Sequence, residues 1–345
     1  MANLWTQSNT VPASRAAAAD GVVGEADGSL QLRIGGVVRE SEAVISIEAG
    51  LDDGALLPSW QPGAHIDVML PSGRVRHYSL CGDPANRSSY KFAVLREAHG
   101  RGGSIELHAI AKAGAMLRIR APRNRFQLAD GQSFLFLAGG IGVTPLLPMV
   151  RAVEQRGRPW TFVYGGRSRA SMAFTAELSN RRGGPLHIVP QDEQGHPDFE
   201  RLFDRLDAAI SIYACGPAAM LAAIEACARR HGASSRLHTE RFSAPPNPEP
   251  AAQAGPDKAF DVVLQRSGRT VRVPADRTLG SVLQAEGADV SFSCEEGICG
   301  TCETRVIAGI PDHRDSVLSP REKAGNDRMM VCVGRALSAS LTLDA

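Results

Sequence analysis

Seven cysteines occur in the chain, and four of them are spaced for metal chemistry. Cys294, Cys299 and Cys302 form C-x4-C-x2-C, and Cys332 follows after 29 further residues. This is the plant-type spacing with which four thiolates hold a 2Fe–2S cluster. Gly297, Gly300 and Thr301 lie between the sulfurs and are small enough for the backbone to wrap two irons. A zinc site would more often pair two C-x2-C units, and only one is present. Such a cluster carries one electron at a time, so the rest of the chain has to supply electrons. Cys81, Cys215 and Cys227 remain, an odd number without disulfide logic, which fits a reducing cytoplasm.

Four other stretches could bind or react. Arg76-His77-Tyr78-Ser79-Leu80 offers a planar fork for a phosphate, an aromatic face for a flat ring, and a hydroxyl donor. Gly100-Arg101-Gly102-Gly103-Ser104 offers free backbone N–H groups at a helix start, an anion site. Gly139-Gly140-Ile141-Gly142-Val143-Thr144-Pro145 is not a G-x-G-x-x-G fingerprint, yet it joins a strand to a helix, where open sheets bind ligands. Cys215-Gly216-Pro217 follows a later strand in the same way. Taken singly, each has a blander reading: a surface Arg-Tyr pair, a Gly-rich turn, a tight turn into a helix, a buried apolar cysteine.

The elements that must position these residues fall into blocks. From residue 29 to 127 the pattern is β: Leu30, Leu32 and Ile34 alternate, as do Ala43, Ile45 and Ile47, and Ala64, Ile66, Val68 and Leu70. Short strands with turns between them predict a small barrel. From 128 to 243, the apolar run Phe134-Leu135-Phe136-Leu137-Ala138 reads as a buried strand. Thr144 is placed to cap a helix that continues through Val153, with Pro145 in its first turn. Strands are expected at Thr161–Tyr164, Leu186–Val189 and Ile210–Ala214. A helix follows over Ala218–Arg230 with Leu221, Ile224 and Ala228 on one face. Alternating strands and helices predict an open parallel sheet. Residues 244–258 hold five prolines and four alanines, a semi-rigid linker. Residues 259–345 then form the cluster-bearing module, with a hairpin (Phe260, Val262, Leu264; Val271, Val273) and a short helix near Leu279–Ala285. The expectation is that only the linker joins this module to the rest. Residues 1–28 are rich in Ala, lack an apolar signal core, and read as a disordered extension.

Composition sets outer bounds. With 345 residues, 43% hydrophobic and 22% charged, the chain reads as an ordinary globular protein of two or three domains. A net charge of +1 points to neither a nucleic-acid nor an anionic-membrane partner. No run of about 18 apolar residues suggests a membrane span.

In their order along the chain, Arg-x-Tyr-Ser, Gly-Gly-Ser, Gly-Gly-x-Gly-x-Thr-Pro and Cys-Gly-Pro resemble the ferredoxin–NADP reductase superfamily. With the C-terminal cysteine loop added, residues 29–345 resemble the phthalate dioxygenase reductase and vanillate demethylase reductase family. The resemblance implies an FMN-binding barrel, an NAD-binding α/β domain and a β-grasp 2Fe–2S ferredoxin domain. It implies electron transfer from NADH through FMN and the cluster to a separate Rieske-type oxygenase, in a monomeric protein. By the same resemblance, Arg76, His77, Tyr78, Ser79, Ala93, Val94, Gly102, Gly103, Ser104, Thr144 and Phe242 hold FMN. Gly139, Gly140, Gly142, Arg167, Ser168, Cys215, Gly216 and Pro217 take NADH. Ser79, Thr144, Cys215 and Glu240 lie at the hydride-transfer junction. The N-terminal extension has no counterpart in the family.

The oxygenase centre itself is not encoded here. No C-x-H is paired with C-x2-H, and the nine histidines form no facial triad with a carboxylate. Two alternatives stay open: an FAD-containing reductase of another multicomponent monooxygenase, and a ferredoxin fused to a defunct flavoprotein. The intact Arg76, Tyr78 and Ser79 set speaks against the second.

Overall fold

The computed structural model describes residues 28–98, 100–243 and 257–345; most of the predicted extension and linker therefore lies outside the described residues. The first block is a six-stranded antiparallel sheet of β1 (Ser29–Arg39), β2 (Val44–Gly50), β3 (Ala64–Met69), β4 (Val75–Ser79), β5 (Tyr90–Leu95) and β6 (Met116–Asn124). Their order is β4-β3-β6-β1-β2-β5, and a bridge between Leu80 and Phe92 joins the two edges into a barrel. Closure removes the unpaired edges that an open sheet would expose. The alternating residues Leu30, Leu32, Ile34, Ile66 and Val68 fill the interior, with Leu107 of the helix Gly103–Ile110 against them. Each such side chain contributes roughly 1.5–3 kcal/mol relative to exposure. In β3 the intervening residues His65 and Asp67 are buried as well, so this strand is covered on both faces.

The second block is a parallel sheet of β7 (Ser133–Gly139), β8 (Trp160–Gly166), β9 (Leu186–Pro190), β10 (Ile210–Cys215) and β11 (Leu237–Glu240). Its order is β11-β10-β7-β8-β9. The apolar run of β7 is central because both its faces are covered. Phe134, Phe136 and Ala138 pack with Met149, Val150 and Val153 of the helix Leu146–Gln155. Leu135 and Leu137 pack with Leu221 and Ile224 of the helix Ala218–Arg230. The first of these cores also contains Val44, Cys81, Ala93 and Phe126, so the barrel and the parallel sheet share one apolar interior.

The predicted cap at Thr144 is not formed. A 3-10 turn, Gly140–Val143, intervenes, and the Thr144 hydroxyl donates back to the Ile141 carbonyl at 2.9 Å. The helix itself begins at Leu146, after Pro145. A threonine hydroxyl can satisfy a local carbonyl in this way instead of capping.

The third block is a five-stranded sheet of β12 (Phe260–Leu264), β13 (Arg269–Val273), β14 (Glu303–Ala308), β16 (Arg328–Met330) and β18 (Ser340–Leu343), in the order β13-β12-β18-β14-β16. A small ribbon pairs β15 (Pro311–Asp312) with β17 (Arg335–Ala336). The helix Leu279–Ala285 contributes Leu279, Val282 and Leu283 to the core, completing the β-grasp arrangement.

Candidate functional site

The cluster loop lies between the helix Leu279–Ala285 and β14. Glu295, Gly297 and Gly300 all have positive φ, which bends this loop around its own cysteines. All four cysteines are buried. Their sulfurs are linked by hydrogen-bonding contacts, Cys299 to Cys294, Cys294 to Cys332 and Cys332 to Cys302. Backbone N–H groups of Glu296 and Thr301 point at the Cys294 and Cys299 sulfurs at 3.3 and 3.4 Å. The Thr301 hydroxyl is 3.0 Å from Cys299 Sγ. Hydrogen bonds donated by its fellow thiols hold the Cys294 thiol well below the usual thiol range. Four converging sulfurs with N–H donors fit a thiolate-ligated 2Fe–2S cluster.

The loop is not held by the linker alone, contrary to the expectation from sequence. Ser293 Oγ lies 2.9 Å from His77 Nε2 on β4. Arg101 pairs with Glu296 at 2.8 Å, and its guanidinium donates to the Cys294 carbonyl at 3.4 Å. Arg125 pairs with Glu303 at 3.0 Å. His77 is fixed from behind: its Nδ1 is 2.7 Å from buried Asp67, which also accepts from Arg123 at 2.6 Å. Asp67, Ser293 and Glu303 were missed in the sequence, because their partners lie tens to hundreds of residues away.

On the same barrel edge, Arg74, Arg76 and Arg101 gather around the N-terminus of the helix Gly103–Ile110. Gly102 there is left-handed, with φ of 83°. A Cβ on Gly103 would lie 2.5 Å from Arg76 Nε, so guanidinium and backbone are in close contact. Burial and then the neighbouring Arg101 charge push the Arg76 guanidinium below its usual range. Arg74 has Glu106 and Arg101 has Glu296, whereas the Arg76 guanidinium hydrogen-bonds only its neighbour's carbonyl, Val75 O, among the described residues. Crowded cations beside free helix N–H groups fit a phosphate. Ser104 Oγ accepts from the Glu97 N–H at 3.0 Å. Tyr78 stacks on Phe92 with ring centroids 5.5 Å apart, and burial raises its phenol.

Ser79, Glu240, Cys215 and Thr144 come from four separate segments. Cys215 and Glu240 are opposite one another at the ends of β10 and β11, and Ser79 Oγ is 3.4 Å from Glu240 Oε2. Burial pushes the Glu240 carboxyl from the usual 4.5 up to about 8, although its side chain keeps some solvent contact. Thr144 and Cys215 are fully buried, and burial raises the Cys215 thiol. Ala93 lies in the core shared with the parallel sheet. Val94 is inside the barrel, its carbonyl 2.9 Å from His108 Nε2. Phe242 is 40% exposed.

The glycine loop after β7 meets the Cys215–Pro217 loop where the strand order switches, between β7 and β10. A Cβ at Gly142 would lie 2.2 Å from the Cys215 carbonyl oxygen, and one at Gly139 would lie 2.5 Å from Met220 Sδ. Gly142 therefore lets two loops pack backbone to backbone, and Gly139 leaves room for the side chains of Met220 and Pro217. Gly140, at φ 52°, has open space around it. A ligand crevice at such a switch point is the rule for open parallel sheets. At the end of β8, Arg167 is exposed, and the Ser168 N–H donates to Ser171 Oγ at 3.1 Å.

Fold and site together define a nucleotide-binding oxidoreductase with a 2Fe–2S domain. Residues 136–226 match the model of the oxidoreductase NAD-binding domain, and residues 262–337 match that of the 2Fe-2S iron-sulfur cluster binding domain. The chain is 42% identical to the phenoxybenzoate dioxygenase subunit beta of Ectopseudomonas oleovorans, over 91% of this chain and 97% of that protein. The structure of phthalate dioxygenase reductase, described as a modular structure for electron transfer from pyridine nucleotides to [2Fe-2S], superposes with a TM-score of 0.67. Identity there is 37%, over 92% of this chain and 98% of that one. An intact type IV self-sufficient cytochrome P450 monooxygenase superposes with a TM-score of 0.84 and 38% identity, over 92% of this chain and 41% of that longer one. The chain belongs to the phthalate dioxygenase reductase family. No helix among the described residues is long and apolar enough to cross a membrane.

Proposed function

We propose that this chain is the NADH-dependent reductase component of a Rieske-type oxygenase system, with FMN on the barrel and a separate oxygenase as acceptor. The observation that carries the reading is Arg101. It belongs to the phosphate-fitting turn and also touches the cluster loop at Glu296 and the Cys294 carbonyl, so one side chain spans both sites. When bound, the flavin would accept two electrons as hydride and release them singly.

The chain's own residues supply positioning and electrostatics. Arg76, with Arg74 and the N–H groups of Gly103 and Ser104, would hold the flavin phosphate. The glycine loop and Cys215–Pro217 would bound the nicotinamide crevice. Glu240, protonated at neutral pH, would present a hydrogen-bond donor beside Ser79. Cys294, Cys299, Cys302 and Cys332 would ligate the cluster. The modules on this reading are 29–127, 128–243 and 259–345, joined by 244–258, and we read the protein as a cytoplasmic monomer.

A second reading, a reductase for a cytochrome P450-type or other monooxygenase with FMN or FAD, is favoured by the closer superposition on the self-sufficient P450. The mass of the flavin extracted from purified protein separates FMN from FAD. Anaerobic reduction of a Rieske protein or a P450 haem by NADH and this chain separates the acceptors. Reduction of the haem alone would overturn the first reading.

A further inference from the structure

We propose that Glu193 sets the choice between NADH and NADPH by neutralising Arg169 at the adenosine end of the nucleotide crevice. The inference rests on the nucleotide reading given above and assigns its specificity to a residue pair. In open parallel sheets, the end of the strand after the glycine-loop strand meets the adenosine ribose. An acid there suits a free 2′-hydroxyl and an arginine suits a 2′-phosphate. In this chain that end is Arg167-Ser168-Arg169, with no acid. Taken without its neighbours, Arg169 could pair a 2′-phosphate.

The fold changes that answer. β9 runs parallel to β8, with Gly166 opposite Pro190, and so brings the turn Gln191–Gln194 beside the arginines. The Asp192 N–H donates to the Arg167 carbonyl at 3.1 Å and fixes the turn in place. Both carboxylate oxygens of Glu193 then lie on Arg169 Nε, at 2.9 and 3.0 Å. The acid missing from the end of β8 is thus delivered from the end of β9. Asp192 places a second exposed carboxylate on the same turn.

The Arg169 and Glu193 side chains are 59% and 44% exposed, too wet for the pair to stiffen the loop appreciably. Its effect is therefore one of charge. A 2′-phosphate arriving here meets an arginine already matched and two carboxylates that repel it, whereas a 2′-hydroxyl meets acceptors.

The test is Glu193→Gln in the intact chain, with kcat/KM measured for both nucleotides using ferricyanide as acceptor. The NADPH:NADH ratio should rise about tenfold, the scale expected on removing one charge a few ångströms from a phosphate dianion. Binding of adenosine 2′,5′-bisphosphate relative to ADP, measured by calorimetry, should improve by a similar factor. Adding Arg169→Ala should abolish both gains. An unchanged ratio in Glu193→Gln, or a gain that survives Arg169→Ala, overturns the assignment. Failure of both nucleotides to bleach the flavin of the unaltered protein would overturn the underlying nucleotide reading as well.

Discussion

The barrel meets its two neighbours by different chemistry. Toward the parallel sheet, Val44, Cys81, Ala93 and Phe126 run without a break into Met149, Phe174 and Tyr213, a single apolar core. Toward the cluster domain, the contacts include His77–Ser293, Arg101–Glu296 and Arg125–Glu303. An apolar core is close-packed and tolerates little displacement. Ion pairs at half-exposed side chains are weak and are screened by salt. Hydride transfer needs donor and acceptor held within a few tenths of an ångström of register, and single-electron transfer does not. The rigid interface lies where hydride would pass, and the adjustable one where single electrons would pass.

Cutting into the rigid interface should have the largest effect. Phe126, 4% exposed and packed on Tyr213 with ring centroids 5.6 Å apart, lies between the two blocks. Phe126→Ala should cost about 3–5 kcal/mol through lost burial and an unfilled cavity, read as a lower urea midpoint. A loss below 1 kcal/mol would mean the shared core is not continuous in solution. Next is the phosphate turn. Arg76→Ala should weaken FMN by about tenfold to a hundredfold, the equivalent of roughly 1.5–3 kcal/mol for one charge-assisted contact. Titration of apoprotein with FMN measures it, and unchanged affinity would remove Arg76 from the site.

Glu240 gives a smaller, pH-dependent effect. Its carboxyl titrates near 8 in the folded chain and at the usual 4.5 when unfolded. The folded state therefore holds the proton more tightly. This contribution to stability is complete below 4.5 and is lost as pH rises from 4.5 to 8. Glu240→Gln should lose less Tm than the unaltered protein between pH 5 and pH 8; equal slopes would show that Glu240 ionises normally. The smallest effect belongs to the polar interface. Arg125→Gln should change overall stability by about 0.2–1 kcal/mol. It should nevertheless make reduction of the cluster by the flavin less sensitive to added salt, because one screened attraction across the interface is gone, measured by stopped flow. Bleaching of the flavin by NADH should keep its salt dependence; if both steps respond equally, the two interfaces do not differ as described.

The same contrast decides what could be read from the sequence. Apolar periodicity marked β1, β3 and the helix Ala218–Arg230, and an unbroken apolar run marked β7, since burial constrains neighbouring residues. Cysteine spacing marked the cluster loop, since metal geometry imposes a spacing. The strut from Asp67 through His77 to Ser293 left no such trace. His77 lies inside a motif that suggests a flavin contact, and its ring also reaches a loop more than 200 residues away. Long-range polar pairing has no period. Thr144 was misread for a local reason, because a cap and a back-bond to Ile141 need the same residue type. Glu193 was invisible until β8 and β9 were known to be neighbours.

On the proposed function, electrons leave through the cluster. Cys299→Ser removes one ligand and leaves the barrel, the crevice and the polar contacts in place. The purified variant should lack the visible absorption and reduced-state EPR signal of a 2Fe–2S centre. Its flavin should still bleach when NADH is added without oxygen, and its reduction of cytochrome c should fall to background. A variant that reduces cytochrome c at the unaltered rate without a cluster signal would contradict the account.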